Sequence, residues 1–180
     1  MEEYSTIVSG FGGQGVILTG KIIARSGMEE GLEVTWLPSY GPEMRGGTAN
    51  CTAIISSKLI GSPVVNNPSS LIAFNKPSLD KFGPSVREKG VIVLNSSLID
   101  DHPDYNSTGV VPVPLNEIAK QLGNQKVINM VALGAWSKAS DKLSLAALKK
   151  GMKLTLEESG KGKFVEVNEK ALEKGYTGAE

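Results

Sequence analysis

The sequence predicts an α/β fold with three layers, α/β/α, around a mostly parallel sheet, with a Rossmann-like start and a helical C-terminal third. Two patterns lead to this prediction. Short apolar segments alternate with segments of helical periodicity over most of the chain, and consecutive helical segments complete it. Because 180 residues suit one domain of ordinary size, we expect residues 1–180 to form a single domain.

The predicted strands are short apolar segments bounded by glycine, proline or polar residues. They lie at 4–9, 33–37, 48–57, 70–74, 90–94 and 109–113. Helical spacing of apolar residues predicts helices from residue 16 until Gly31 and at 77–89, 115–122, 127–139, 145–158 and 167–174. Residues 38–47, which are rich in proline and glycine, are predicted to form a loop.

Charge and composition exclude several classes of protein. The chain has 19 basic and 19 acidic side chains, so no global positive field favours nucleic acid or an anionic membrane. One cysteine and one histidine cannot build a zinc site or hold an iron–sulfur cluster, so we expect no metal or redox cofactor bound by this chain alone. The N-terminus is acidic, and no apolar run approaches the roughly 20 residues that span a bilayer. We therefore expect a cytoplasmic protein.

A first glycine-rich loop, GFGGQG at 10–15, joins the first predicted strand to the first helix. Its glycines permit a tight turn, and a helix N-terminus favours an anion, so Gly12, Gly13, Gln14 and Gly15 are candidate binding residues. A dinucleotide site would also need an acidic residue at the end of the next strand, where the sequence has proline and serine instead. The alternative is that these glycines only let the helix pack closely on the sheet.

A second glycine-rich segment, PSYGPEMRGG at 38–47, follows the second predicted strand, at the sheet edge where ligand sites form in open α/β sheets. Tyr40 offers a ring and a hydroxyl, Arg45 a planar guanidinium for phosphate or carboxylate, and Gly46 and Gly47 exposed backbone donors. The alternative is a local ion pair between Glu43 and Arg45 that holds a turn.

Taken together, the motifs resemble one family, the gamma subunits of 2-oxoacid:ferredoxin oxidoreductases. The form of the second segment is most similar to the type that acts on 2-oxoglutarate or 2-ketoisovalerate, within the pyruvate–ferredoxin oxidoreductase gamma-domain family. The resemblance covers nearly the whole chain and rests on GFGGQGV at 10–16, PSYGPEMRGG at 38–47, SP at 62–63, LIAFNKP at 71–77, GVIVLN at 90–95, NMVALG at 129–134 and NEKA at 168–171 with Gly175.

The resemblance implies a non-redox subunit of a larger enzyme. In such complexes a 2-oxoacid is oxidatively decarboxylated on thiamine diphosphate with magnesium, the acyl group passes to coenzyme A, and electrons leave through iron–sulfur clusters to ferredoxin. Alpha and beta subunits, and a delta subunit where one is present, would be the partners. The isolated chain would be inactive, with no catalytic residue of its own.

The eight candidate residues would lie on the coenzyme A side of the site or at a subunit interface. Two other functions stay open at this stage: a stand-alone dinucleotide-binding protein, suggested by the first glycine loop, and a purely structural adaptor.

Overall fold

The computed structural model describes residues 2–40, 48–105 and 108–178. Within them, six strands form one sheet in the order β2–β3–β1–β4–β5–β6. The strands are β1 (Tyr4–Phe11), β2 (Glu33–Tyr40), β3 (Thr48–Ser56), β4 (Ser70–Ala73), β5 (Val91–Asn95) and β6 (Gly109–Val113).

The sheet is mostly parallel, as predicted, with β3 as the exception. Strands β1, β4, β5 and β6 pair in parallel, whereas β3 runs antiparallel to both of its neighbours, β1 and β2. Strand β2 therefore points the same way as β1 but lies two positions from it. In a dinucleotide-binding βαβ unit these two strands are adjacent, so the Rossmann-like start extends only through the first strand, loop and helix.

Helices cover the two faces of the sheet unequally. The described helices are α1 (Val16–Glu29), α2 (Lys76–Phe82), α3 (Leu115–Gln121), α4 (Ile128–Ser140), α5 (Leu145–Glu158) and α6 (Val165–Thr177). On one face α1 packs on β1–β3 and α4 on β4–β6, and the other C-terminal helices pack on these two. On the opposite face α2 packs on β1 and β4. Alternate residues of the central strands enter the two cores, such as Val8 on the α1 face and Ile7 on the α2 face.

Two predicted boundaries are wrong, and proline explains both. The predicted 38–47 loop begins too early, because β2 continues through Pro38 to Tyr40. Proline is tolerated there since β2 is an edge strand, where a missing N–H need not break the ladder. The predicted 77–89 helix ends at Phe82 and continues as a 3₁₀ turn, because Pro84 has no N–H to donate to the preceding turn.

Helices α4 and α6 approach each other so closely that their backbones touch at two glycines. A Cβ atom added to Gly134 would overlap the Leu172 carbonyl oxygen, and one added to Gly175 would overlap the carbonyl oxygen of Val131. On its sheet side, α4 is anchored by Trp136, which is fully buried and whose Nε1 donates to Ser70 Oγ at 2.9 Å. The position of α4 is thus fixed from both sides.

The single cysteine, Cys51, lies in the core at the α1–β3 contact. It is fully buried, its Sγ donates to the Val16 carbonyl oxygen at 3.3 Å, and it lies against Gly20 of α1. Burial raises the pKa of the Cys51 thiol to about 12, although hydrogen bonding to the Gly20 backbone and to Trp36 opposes the shift. Cys51 is a structural side chain with almost no thiolate at neutral pH.

We expect the substitution Gly134→Ala to lower the free energy of unfolding by about 1–3 kcal/mol, because backbone rather than a flexible side chain blocks the new methyl group. Urea denaturation would measure the change. Gly61→Ala is the matched control, since a Cβ at Gly61 meets nothing within 4 Å. Equal stability of the two variants would contradict the close packing of α4 on α6.

We expect iodoacetamide at pH 8 to leave Cys51 unmodified in the folded chain and to alkylate it in guanidinium chloride, with mass spectrometry as the readout.

The raised pKa of Cys51 also predicts how the stability of the fold depends on pH. Because the unfolded thiol ionises near pH 9 and the folded one near 12, this group's contribution to stability is complete below pH 9 and falls as the pH rises towards 12.

Candidate functional site

The first glycine loop is a tight turn closed by one side chain. Gln14 N donates to the Phe11 carbonyl oxygen at 3.2 Å, and Phe11 N donates back to Gln14 Oε1 at 2.6 Å. Gly13, at the third position of this turn, has φ +98°, the conformation that a type II turn requires there. A Cβ at Gly13 would meet nothing within 4 Å, so the outer side of the turn is open.

Gly15 ends the loop and begins α1, and Asn129 from the first turn of α4 occupies the space beside it. Gly15 has φ +77°, in the left-handed region, and provides no side-chain cap. A Cβ at Gly15 would lie 2.7 Å from Asn129 Cγ. Glycine is therefore required at this position on two counts, conformation and space.

A cavity of about 280 Å³ opens beside this contact. It lies between the glycine loop and the C-terminal helices, and its lining consists of Gly13, Gly15, Leu18, Asn124, Lys126, Val127, Asn129, Leu156, Lys161, Phe164 and Asn168. A second cavity of about 370 Å³ shares Gly13, Gly15, Leu18 and Lys161 with the first. None of the described residues that line either cavity is acidic.

The polar groups of the first cavity have unused hydrogen-bonding capacity. Asn129 is only 3% exposed, and its side-chain amide forms no hydrogen bond within the described residues. Lys126 and Lys161 likewise form no ion pair within the part of the chain that the structure describes. A buried, unpaired amide flanked by two unpaired ammonium groups and exposed backbone is suited to an anionic, hydrogen-bonding ligand.

The two glycine-rich segments begin at the same edge of the sheet. Ala49 of β3 pairs with Gly10 on one side and with Tyr40 on the other, so the ends of β1 and β2 flank it. Strand spacing places these two ends about 10 Å apart.

Of the predicted residues, Gly12, Gly13, Gln14 and Gly15 lie in the loop described above and Tyr40 ends β2. The predicted Arg45, Gly46 and Gly47, and the alternative pair of Glu43 with Arg45, lie outside the described residues.

The far wall of the cavity was not predicted from the sequence. Asn129 belongs to a segment that resembles the gamma-subunit family, but no pattern indicated a role for this residue. The sequence predicts a surface turn at Lys161, and no pattern in it indicates a role for Lys126. The feature that could have indicated Asn129 is a polar residue within the apolar first half of α4.

The described residues contain no group of three or more histidine, cysteine, aspartate or glutamate side chains placed to hold a metal ion. Among the same residues, no helix combines the length and the apolar character needed to cross a membrane.

Comparison with protein families matches residues 5–178 to the pyruvate ferredoxin/flavodoxin oxidoreductase family. Among curated proteins, the chain is 38% identical over 174 residues to the ketoisovalerate oxidoreductase subunit VorA of Methanothermobacter marburgensis, covering 96% of the chain but 36% of that protein. It is 33% identical over 173 residues to the 2-oxoglutarate synthase subunit KorC of Methanocaldococcus jannaschii, covering 94% of the chain and 90% of that protein. The chain thus spans about a third of VorA and nearly all of KorC.

Two solved structures of oxoacid oxidoreductases are similar to this chain over nearly its whole length. A keto/oxoacid ferredoxin oxidoreductase gamma subunit from Geobacter sulfurreducens matches with TM-score 0.85 and 31% identity, over 99% of this chain and 97% of that one. The 2-oxoglutarate:ferredoxin oxidoreductase from Magnetococcus marinus, solved with 2-oxoglutarate, coenzyme A and succinyl-CoA, matches with TM-score 0.86 and 26% identity, over 99% of this chain and 31% of that one. With nearly all of its length matched, the chain belongs to the pyruvate ferredoxin/flavodoxin oxidoreductase family.

Proposed function

We propose that this chain is the gamma subunit of a cytoplasmic, multi-subunit 2-oxoacid:ferredoxin oxidoreductase, and that it forms part of the coenzyme A side of the active site as a single domain. The observation that carries the proposal is the acid-free cavity beside the glycine loop, with the buried, unpaired amide of Asn129 and the unpaired Lys126 and Lys161. Family membership supports the proposed reaction, and the chemistry of this cavity supports the proposed position of the coenzyme A site.

The chemistry of coenzyme A fits the lining of the cavity. Its diphosphate and ribose phosphate are anionic and suit the two lysines and the open backbone of Gly13, while its adenine ring needs a flat apolar surface and amide partners. Phe164 is 42% exposed and lines the cavity, so it offers a ring face. A related protein, the enzyme from Magnetococcus marinus, is known with coenzyme A bound.

The redox chemistry belongs to partner subunits in this proposal. An iron–sulfur cluster needs several cysteine thiolates, and the one cysteine here is buried, protonated and hydrogen-bonded to backbone. The residues present therefore do not fit a cluster. We assign thiamine diphosphate, magnesium and the clusters to alpha and beta subunits, with delta where present, and electron transfer to ferredoxin to the complex. This chain would bind and orient coenzyme A and exclude water from its side of the site.

A second candidate, a structural adaptor, is favoured by apolar side chains left exposed on strands at one end of the sheet. Phe11 is 39% exposed and Leu37 40% exposed, which is typical of surfaces that contact another chain.

A stand-alone dinucleotide-binding protein is disfavoured, because β3 separates β1 from β2 and no acidic residue ends β2. Failure of NAD to raise the melting temperature would dismiss it.

The proposed function is tested by purifying the chain from its native cell, identifying the proteins that accompany it and assaying coenzyme A-dependent oxidation of several 2-oxoacids. We expect subunits of an oxidoreductase and reduction of ferredoxin only when a 2-oxoacid and coenzyme A are both present. Recovery of the chain without partners would contradict the proposal.

In the assembled complex, we expect Lys126→Ala and Lys161→Ala each to raise KM for coenzyme A about tenfold, because a charge-assisted hydrogen bond is worth roughly 1.5–3 kcal/mol. Steady-state kinetics would measure the change. Lys153→Ala is the matched control: Lys153 is an exposed lysine of α5 that lines neither cavity and forms no ion pair among the described residues. A similar effect of all three would indicate a general loss of positive charge instead.

Arg45→Ala distinguishes a ligand role of the second glycine-rich segment from an interface role. We expect it to weaken the apparent affinity for coenzyme A in the assembled complex, since a guanidinium suits phosphate. Unchanged affinity together with weaker subunit association, measured by analytical ultracentrifugation, would support the adaptor function.

A further inference from the structure

The side-chain amide of Gln14 is held in one orientation. Its Oε1 accepts from Phe11 N at 2.6 Å and from Asn75 Nδ2 at 3.3 Å. Because a backbone N–H can only donate, the first contact identifies the acceptor end of the amide.

Asn75 connects this amide to the rigid part of the fold. Asn75 is 2% exposed and is the N-cap of α2, where its Oδ1 accepts from Ser78 N at 3.0 Å. Its backbone follows β4, whose end is joined to β1 because Phe74 N donates to the Ser9 carbonyl oxygen at 2.9 Å. With Oδ1 fixed by the cap, Nδ2 is left to donate to Gln14.

The space for the Gln14 side chain also depends on the fold around it. A Cβ at Gly10 would lie 2.6 Å from Gln14 Oε1 and 2.9 Å from Phe74 Cβ. The side chain is therefore confined between the end of β1 and the start of α2, and the loop cannot rotate the amide without losing both hydrogen bonds.

We infer that Asn75 is a positioning residue: by holding Gln14, whose Oε1 accepts from Phe11 N, it fixes the glycine loop whose Gly13 and Gly15 line the proposed coenzyme A cavity. The inference rests on the proposed function, because it takes the glycine loop to face that ligand. It adds a residue on the opposite face of the sheet from the cavity, and it predicts coupling between Asn75 and Gln14.

A double-mutant cycle in the assembled complex tests the coupling. Asn75→Ser keeps the helix cap, since serine is a good N-cap, but is too short to reach Gln14. We expect Asn75→Ser to raise KM for coenzyme A about three- to tenfold and Gln14→Ala about tenfold, with KM for the 2-oxoacid unchanged by Asn75→Ser. In the Gln14→Ala background, Asn75→Ser should have no further effect on KM for coenzyme A.

The control variant is Ser144→Ala, which removes the N-cap of α5, where Ser144 Oγ accepts from Ala147 N at 3.1 Å, far from the loop in sequence. It should leave KM for coenzyme A unchanged, which separates positioning from a general loss of stability. If Asn75→Ser fails to assemble, Asn75→Asp provides the same test, because it keeps the size and the cap but cannot donate when ionised.

The outcomes separate the inference from the proposed function. If Gln14→Ala raises KM for coenzyme A while Asn75→Ser does not, or if their effects add, the inference is wrong and the coenzyme A site stands. If neither Gln14→Ala nor the lysine variants change KM for coenzyme A, the proposed function itself fails, and the inference fails with it.

Discussion

The close approach of Gly15 to Asn129 is the contact on which the geometry of the candidate site depends. It brings the first turn of α4 against the start of α1, and it requires a residue that tolerates a positive φ and has no side chain. Because α4 is itself held between the sheet and α6, its contact with Gly15 also holds the loop in place. The cavity opens beside this contact, and both Gly15 and Asn129 line it.

The polar groups around this contact serve different purposes. Those on the α2 side, Gln14 and Asn75, are hydrogen-bonded to each other and to backbone, so they maintain the shape of the loop. Those on the helical side, Asn129, Lys126 and Lys161, have no partner among the described residues. The hydrogen-bonded groups hold the loop in one conformation, while the unpaired groups remain free to bind. This arrangement lowers the entropic cost of binding an anion.

Local patterns were enough to predict most of the fold. Apolar periodicity located every described strand and helix to within a few residues, except where proline changed the outcome, as at Pro38 and Pro84. The turn at 10–15 was predictable because glycine spacing encodes it directly. The insertion of β3 between β1 and β2 was not predictable, because strand order depends on pairing between distant segments. Asn129 and Lys161 were missed for the same reason: only the folded chain brings them to the glycine loop.

The burial of Cys51 has a practical consequence for measuring distances from this chain with attached probes. Because its sulfur is enclosed between α1 and β3, a cysteine introduced at any exposed position would be the one thiol open to a spin or fluorescent probe. Distances from that probe to a second labelled site could then be measured without first replacing Cys51, whose removal would open a void beside Gly20.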